Sequence, residues 1–244
     1  MSYFWEAIEW IFAPEQQLGQ NAILTRLGEH VYFTVISLIV AVVIAVPIGY
    51  FIGHTGKGRE LAVGLSGAAR ALPSLGLLTV LTLSLGFSQA SIAAVIVLLV
   101  LGVPSILAGA YSGFQAVDRA TIDSARAVGM SEWQILWSVE IPLGLPLLLG
   151  GVRSAALQIV ATATLAAYVG LGGLGVYIFK GLPLRDFPQM LAGALLIAIL
   201  AVTIDGLVAV AQKFAVPRGV RASTRTRLRS RSSRSQSAVG TPTS

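Results

Sequence analysis

The chain contains no cysteine among its 244 residues, which excludes a disulfide framework and any thiolate metal site. It has two histidines and no clustered set of His, Asp and Glu in the sequence, so neither a metal centre nor a resident cofactor is expected. Charge is scarce as well: 11% of residues are charged against 55% hydrophobic, and the mean hydropathy is +0.79. A soluble domain needs far more charge than this to cover its surface. The N-terminus lacks a basic n-region, because Glu6 and Glu9 stand where one would be, and no cleavable signal peptide is expected. The net charge of +6 is unevenly spread: from Lys213 onward there are eight Lys/Arg and no acid, whereas the body before it holds nine basic and eleven acidic residues. The high pI belongs to the tail, and the body carries no nucleic-acid footprint.

What is abundant is long apolar sequence. A span needs roughly 20 apolar residues to cross ~30 Å of hydrocarbon. Residues 31–53 carry no formal charge and read as a first span; residues 71–117 carry none either and are long enough for two, broken at "LGFSQAS" (85–91) where Gly86, Ser88 and Gln89 offer turn chemistry. A fourth span runs from about Pro146 to Tyr168 and a fifth from about Pro188 to Gln212. The expectation is an all-α polytopic membrane protein with five transmembrane helices. Before the first span, "YFWEAIEWIFAP" groups Phe4, Trp5, Ile8, Ile11 and Phe12 toward one helical face, which reads as an interfacial helix ended near Pro14.

Orientation follows from the Lys/Arg bias. With five spans, one side holds Arg26, Lys180 and Arg185, and the other holds Lys57, Arg59, Arg119, Arg126, Arg153 and the eight tail residues. Arg70, near the start of the second span, falls on neither side of that count. The basic side should be cytoplasmic, with the N-terminus outside and the C-terminus inside. The domain boundaries expected are a 1–24 interfacial segment, a 25–212 membrane domain and a 213–244 basic tail. That tail is low-complexity Arg/Ser/Thr with almost nothing to bury, and disorder is expected of it, with either topology fixing or adhesion to anionic membrane lipid as its role.

Between the third and fourth spans the chain interrupts itself with "DSARAVGMSEWQILW" (123–137) followed by "SVEIPLGLP". Read locally, this is two short helices and a hinge. Asp118 caps the first helix, Gly129 suits a left-handed C′ position, Ser131 and Gln134 form an S-x-x-Q capping box, and Pro142 ends the second helix. Trp133, Leu136, Trp137 and Glu140 share one face, so the tryptophans can anchor it in the membrane interface. A polar helix held there would project into the cytoplasm as a docking element; an ordinary connecting loop would not need this much capping.

The stretch resembles the cytoplasmic EAA motif of ABC-importer permeases, E-A-A-x3-G-x9-I-x-L-P. Here Asp123-Ser124-Ala125 is followed by three residues, Gly129, nine more residues, and Val139-Glu140-Ile141-Pro142. The departures are Asp for Glu, Ser for Ala, Val for Ile and Ile for Leu, each similar in size or charge. The resemblance implies a type I ABC-importer permease whose cytoplasmic coupling helix fits a separate ATP-binding cassette ATPase subunit through Asp123, Ser124, Ala125, Arg126, Gly129, Met130 and Pro142. Small residues such as Ala125 and Gly129 would admit close backbone approach, and Asp123 would pair with a basic residue of the partner. It also implies an extracytoplasmic substrate-binding protein, a second permease chain, the cytoplasmic membrane of a prokaryote, and no enzymatic activity in this chain. "RALPSLGLL" (70–78), "GVPSILAGAYSGFQAVD" (102–118) and "ATATLAAYVGLGGLGVYIFKGL" (161–182) resemble the osmoprotectant branch, which imports glycine betaine, proline betaine, carnitine or choline.

Other signals carry less. "GLGGLG" (170–175) matches G-x-G-x-x-G, but no strand precedes it and the position 20 beyond Gly175 is Leu195, so it is not a dinucleotide fingerprint; by resemblance Gly172, Gly173 and Gly175 belong to the outer gate region. Asp205 interrupts the last span near its cytoplasmic end and reads as structural, Arg153 as snorkelling to headgroups. Glu29 and His30 sit at the outer start of the first span and are assigned no chemistry. Tyr50, Phe51, Tyr111, Phe114 and Tyr168 could meet a quaternary ammonium by cation–π contact, though ordinary packing explains them. A permease for an amino acid or other small solute remains open. A secondary transporter would show inverted repeats and midplane charges, and neither is evident.

Overall fold

The computed structural model describes residues 2–19 and 21–215, so the basic tail past 215 lies outside the described residues. The described chain is helical throughout. Helix α1 (Ser2–Phe12) is followed by α2 (Ile23–Thr55), which starts eight residues before the charge-free stretch and ends where Gly56 takes a left-handed C-cap at φ 72°. Helix α3 (Arg59–Ala71) meets α4 (Ser74–Leu85) at 89°. Pro73 forces that corner, since it excludes the helical region for the residue before it, and Leu72 sits extended at ψ 132°. A short 3-10 turn over Phe87–Gln89 leads into α5 (Ala90–Gln115).

The polar interruption forms α6 (Arg119–Ala127) and α7 (Glu132–Ile135), then a π turn over Leu136–Glu140, then α8 (Ile141–Ala163). Helix α9 (Gly175–Leu184) and the long α10 (Phe187–Ala215) complete the described chain. Four stretches, Ile23–Thr55, Phe87–Gln115, Glu132–Val169 and Phe187–Ala215, are long and apolar enough to cross a membrane. The second span expected from sequence, within residues 71–85, is not one long helix: it is the shorter α4, set at that corner to α3, and the count reaches five only if the bent pair is taken as one crossing.

One further expectation changes. Pro142 does not end a helix: the chain runs on from Glu132 to Val169. The widened π turn just before Pro142 absorbs the missing donor and the ring clash that would break a regular helix. At the N-terminus the helix forms, but its buried residue is Ala7, with Trp10 edge-on to Tyr177 at 5.0 Å and Tyr3 against Phe187 at 5.7 Å. The larger aromatic group, Phe4, Trp5 and Phe12, points outward.

The centre is the antiparallel pair α5 and α8, the most extensive helix contact among the described residues. Lipid tails are as apolar as leucine, so helices in a bilayer gain most by close backbone approach through small residues. That is what this seam uses: a Cβ added at Gly109 would lie 2.7 Å from the Leu147 carbonyl, one at Gly113 2.6 Å from the Gly144 carbonyl, and one at Gly151 2.6 Å from the Ser105 carbonyl. Helix α2 closes on the other side of α5 through Ala41, Ala45 and Gly49, all buried.

Candidate functional site

The polar loop is rigid by construction. Asp118 Oδ1 accepts the Ala120 N–H at 3.0 Å and caps α6. At the other end Gly129 is left-handed (φ 87°) and the Met130 N–H reaches back to the Ala125 carbonyl at 3.1 Å, closing a Schellman turn. Both arms of the capping box are made: Ser131 Oγ accepts the Gln134 N–H, and Gln134 Oε1 accepts the Ser131 N–H at 2.8 Å. Arg126 then staples α6 to α7 with a two-pronged grip on Glu132, Nε to Oε1 at 2.8 Å and Nη2 to Oε2 at 3.1 Å. It also touches Asp123 at 3.5 Å.

The expected coupling residues therefore divide. Asp123, Ser124, Arg126 and Gly129 are exposed, together with Val128, whose side chain is 78% exposed. Ala125, by contrast, is buried within its own chain. Asp123 already has Arg126 beside it. Met130 is half-buried, and Pro142 lies at the start of α8 rather than at a helix end. Trp133 and Trp137 are exposed as anchors should be, but Glu140, grouped with them by spacing, is only 5% exposed. It receives the Nδ1–H of His54 at 2.7 Å, tying the last turn of α2 to the π turn. The 86-residue separation of that pair leaves no local pattern to find it by.

At the opposite end of the bundle the glycine loop is held by the two residues that sequence left without a role. Gly170, Gly172 and Gly173 all have positive φ, a conformation that costs glycine little. Glu29 accepts the Gly173 N–H at 2.7 Å and the Arg26 guanidinium at 2.8 Å. His30 is fully buried and bridges three elements: its Nδ1 accepts the Leu174 N–H at 3.3 Å and its Nε2–H donates to the Val160 carbonyl at 2.9 Å. That pattern fixes the neutral tautomer. Gly175 packs on the Thr164 carbonyl so closely that a Cβ has no room. Tyr177 donates to the Asn21 carbonyl at 2.7 Å, and burial pushes its phenol up to about 12, which keeps the donor protonated. Removing the Glu29 carboxylate (Glu29→Ala) is expected to raise hydrogen exchange at the Gly173 amide by about tenfold or more, since a charged acceptor at a backbone N–H is lost; unchanged exchange would show that the loop is held elsewhere.

One more long-range pair replaces an expectation. Arg153 does not snorkel to headgroups; it grips both carboxylate oxygens of Asp205 and so ties α8 to α10. Asp205 is structural as read, with a partner that sequence did not name.

The family profile described as the binding-protein-dependent transport system inner membrane component matches residues 45–219. The glycine betaine/carnitine/choline transport system permease protein OpuCB of Bacillus subtilis is 33% identical over 204 residues, 84% of this chain and 93% of that protein. The carnitine transport permease protein OpuCB of Listeria monocytogenes is 33% identical over 190 residues, 78% of this chain and 86% of its own length. The osmoprotectant import permease protein OsmW of Salmonella typhimurium is 30% identical over 199 residues, 79% and 91% respectively. Among solved structures, a chain of the MetNI methionine ABC transporter in an inward-facing conformation superposes with a TM-score of 0.70, at 21% identity, covering 84% of this chain and all of that one.

Proposed function

The chain belongs to the family of binding-protein-dependent transport system inner membrane components, and on that premise we propose that it is the permease subunit of an ATP-driven importer of quaternary-ammonium osmoprotectants. The observation that carries the coupling half of this reading is the loop between Asp118 and Pro142. It has the motif's spacing and a helix capped at both ends, and it leaves an exposed edge formed by Ser124, Val128 and Gly129. We take that edge as the surface gripped by a separate ATP-binding cassette ATPase, and α6 as the coupling helix. Closure of two such ATPases would pull on α6, and the Arg126–Glu132 staple and the continuous α7–α8 rod would pass the displacement into the membrane as a rigid-body movement.

The substrate half rests on the relatives named for glycine betaine, carnitine and choline transport. We count the bent pair α3 and α4 as the fifth crossing, which puts the N-terminus outside and the loop in the cytoplasm. Gly172, Gly173 and Gly175, held by Glu29 and His30, then lie at the outer mouth, where we assign them to the gate beneath a docked substrate-binding protein. A second permease chain completes the path. The test is uptake of labelled glycine betaine, carnitine and choline into proteoliposomes holding the assembled complex. ATP-dependent uptake of at least one is expected; uptake driven by an ion gradient without ATPase would overturn the importer reading, and ATP-dependent uptake of only some other solute would overturn the substrate.

A further inference from the structure

Arg70 lies in the last turn of α3, just before the Leu72–Pro73 corner. From there its guanidinium donates to Ser105 Oγ at 3.4 Å. Ser105 sits in the middle third of α5 and is buried, and it donates in turn to Gln158 Oε1 of α8 at 3.4 Å. Three elements thus bring polar groups together well inside the apolar length of the bundle. The depth is fixed independently by α4, whose Leu78 packs on Ala94 and Val97 of the outer half of α5, so that the corner comes level with the middle of that helix.

The side chain of Arg70 is exposed on the surface of this chain. A guanidinium at mid-bilayer depth is not left to lipid; intramembrane charges face a bundle interior or a water-filled space and mark pathways. Nor is the charge neutralised within the chain, since the five ion pairs among the described residues involve other groups. The direction of the hydrogen bonds says what is missing. Arginine has five N–H donors and no acceptor, and one is used on Ser105. Because Ser105 gives its proton to the amide oxygen of Gln158, the amide N–H groups of Gln158 are without a partner among the described residues. The cluster therefore ends in unfilled donors on both sides and carries one positive charge.

We propose that Arg70, Ser105 and Gln158 form a carboxylate subsite in the translocation path, on the face that the second permease chain encloses. This rests on the osmoprotectant reading and narrows it. Glycine betaine and carnitine are zwitterions with a carboxylate, whereas choline bears a hydroxyl and no anion. The subsite serves the first two and is idle for the third.

The experiment compares Arg70→Gln and Arg70→Lys with the unsubstituted permease in the complete importer, scoring ATP-dependent uptake of the three compounds and the amount of assembled complex recovered. Arg70→Gln should lower glycine betaine and carnitine uptake about tenfold or more, as expected for a lost charge-assisted contact, while choline uptake changes by less than about threefold. Arg70→Lys, which keeps the charge, should retain a large part of the betaine uptake. Equal loss for all three compounds, as a structural role or an ion pair to the second chain would give, overturns the proposal, and so does an Arg70→Lys variant no better than Arg70→Gln on betaine. An unsubstituted complex that carries choline alone overturns it too. Silence of the unsubstituted complex toward all three would overturn the osmoprotectant reading, and the subsite with it.

Discussion

Replacing Gly129 with aspartate is expected to stop ATP-driven uptake while the permease still folds and inserts. Gly129 is left-handed at φ 87°, and a Cβ built there meets nothing within 4 Å. Aspartate is among the side chains that tolerate this conformation best, so the strain should stay near 1 kcal/mol. The damage falls instead on the docking edge, where a new negative charge stands beside exposed Val128. An uptake loss of a hundredfold or more, equivalent to about 3 kcal/mol of lost coupling contact, is the expected size. Gly129→Ala is the control: it brings at least as much backbone strain without the charge and should keep most of the activity. If both variants lose uptake alike, the loop matters for its shape and not for its contact with a partner.

The second large effect is on the fold. Gly150 and Gly151 are neighbours in α8, yet a Cβ at Gly150 meets nothing within 4 Å, while one at Gly151 lies 2.6 Å from the Ser105 carbonyl and 3.0 Å from Gly109 Cα. Gly151→Val therefore cannot be accommodated by moving a side chain; the α5–α8 pair must separate. A loss of about 3 kcal/mol or more is expected, at the upper end for overpacking, because backbone meets backbone. Gly150→Val should be close to neutral. The yield of monodisperse protein and the unfolding midpoint in detergent measure the difference between two adjacent positions. Equal tolerance would mean that the seam is not where the helices meet.

Legibility in the sequence tracked the range of the interaction. Features that need only a few neighbouring residues were readable: the Asp118 cap, the left-handed Gly129, the Ser131–Gln134 capping box, and the charge-free runs of the long helices. The corner at Pro73 was within reach, because a proline restricts the residue before it, but uninterrupted apolar sequence made residues 71–85 look like one straight span. The π turn ahead of Pro142 depends on the helix widening to accept a proline, and a proline alone signals only a stop. Glu140 with His54, Asp205 with Arg153, and Glu29 with the Gly173 amide were beyond reach, since each is made by helices that meet only after folding. Sequence gave Glu29, His30 and Arg70 as isolated polar residues near span ends; tertiary contact gives each a task.

The central claim is that the 118–142 loop faces the cytoplasm and is held by an ATPase partner. Because the chain has no cysteine, Ser124→Cys provides a single thiol on the exposed face of α6, where the serine makes only an internal bond to the Ala120 carbonyl. The measurement is crosslinking of that thiol to co-assembled ATPase in membrane vesicles of known orientation. The account predicts an adduct of permease and ATPase, with the free thiol labelled by a membrane-impermeant reagent only from the cytoplasmic side. Labelling from the outer side, or a fully assembled complex that yields no adduct, would contradict it.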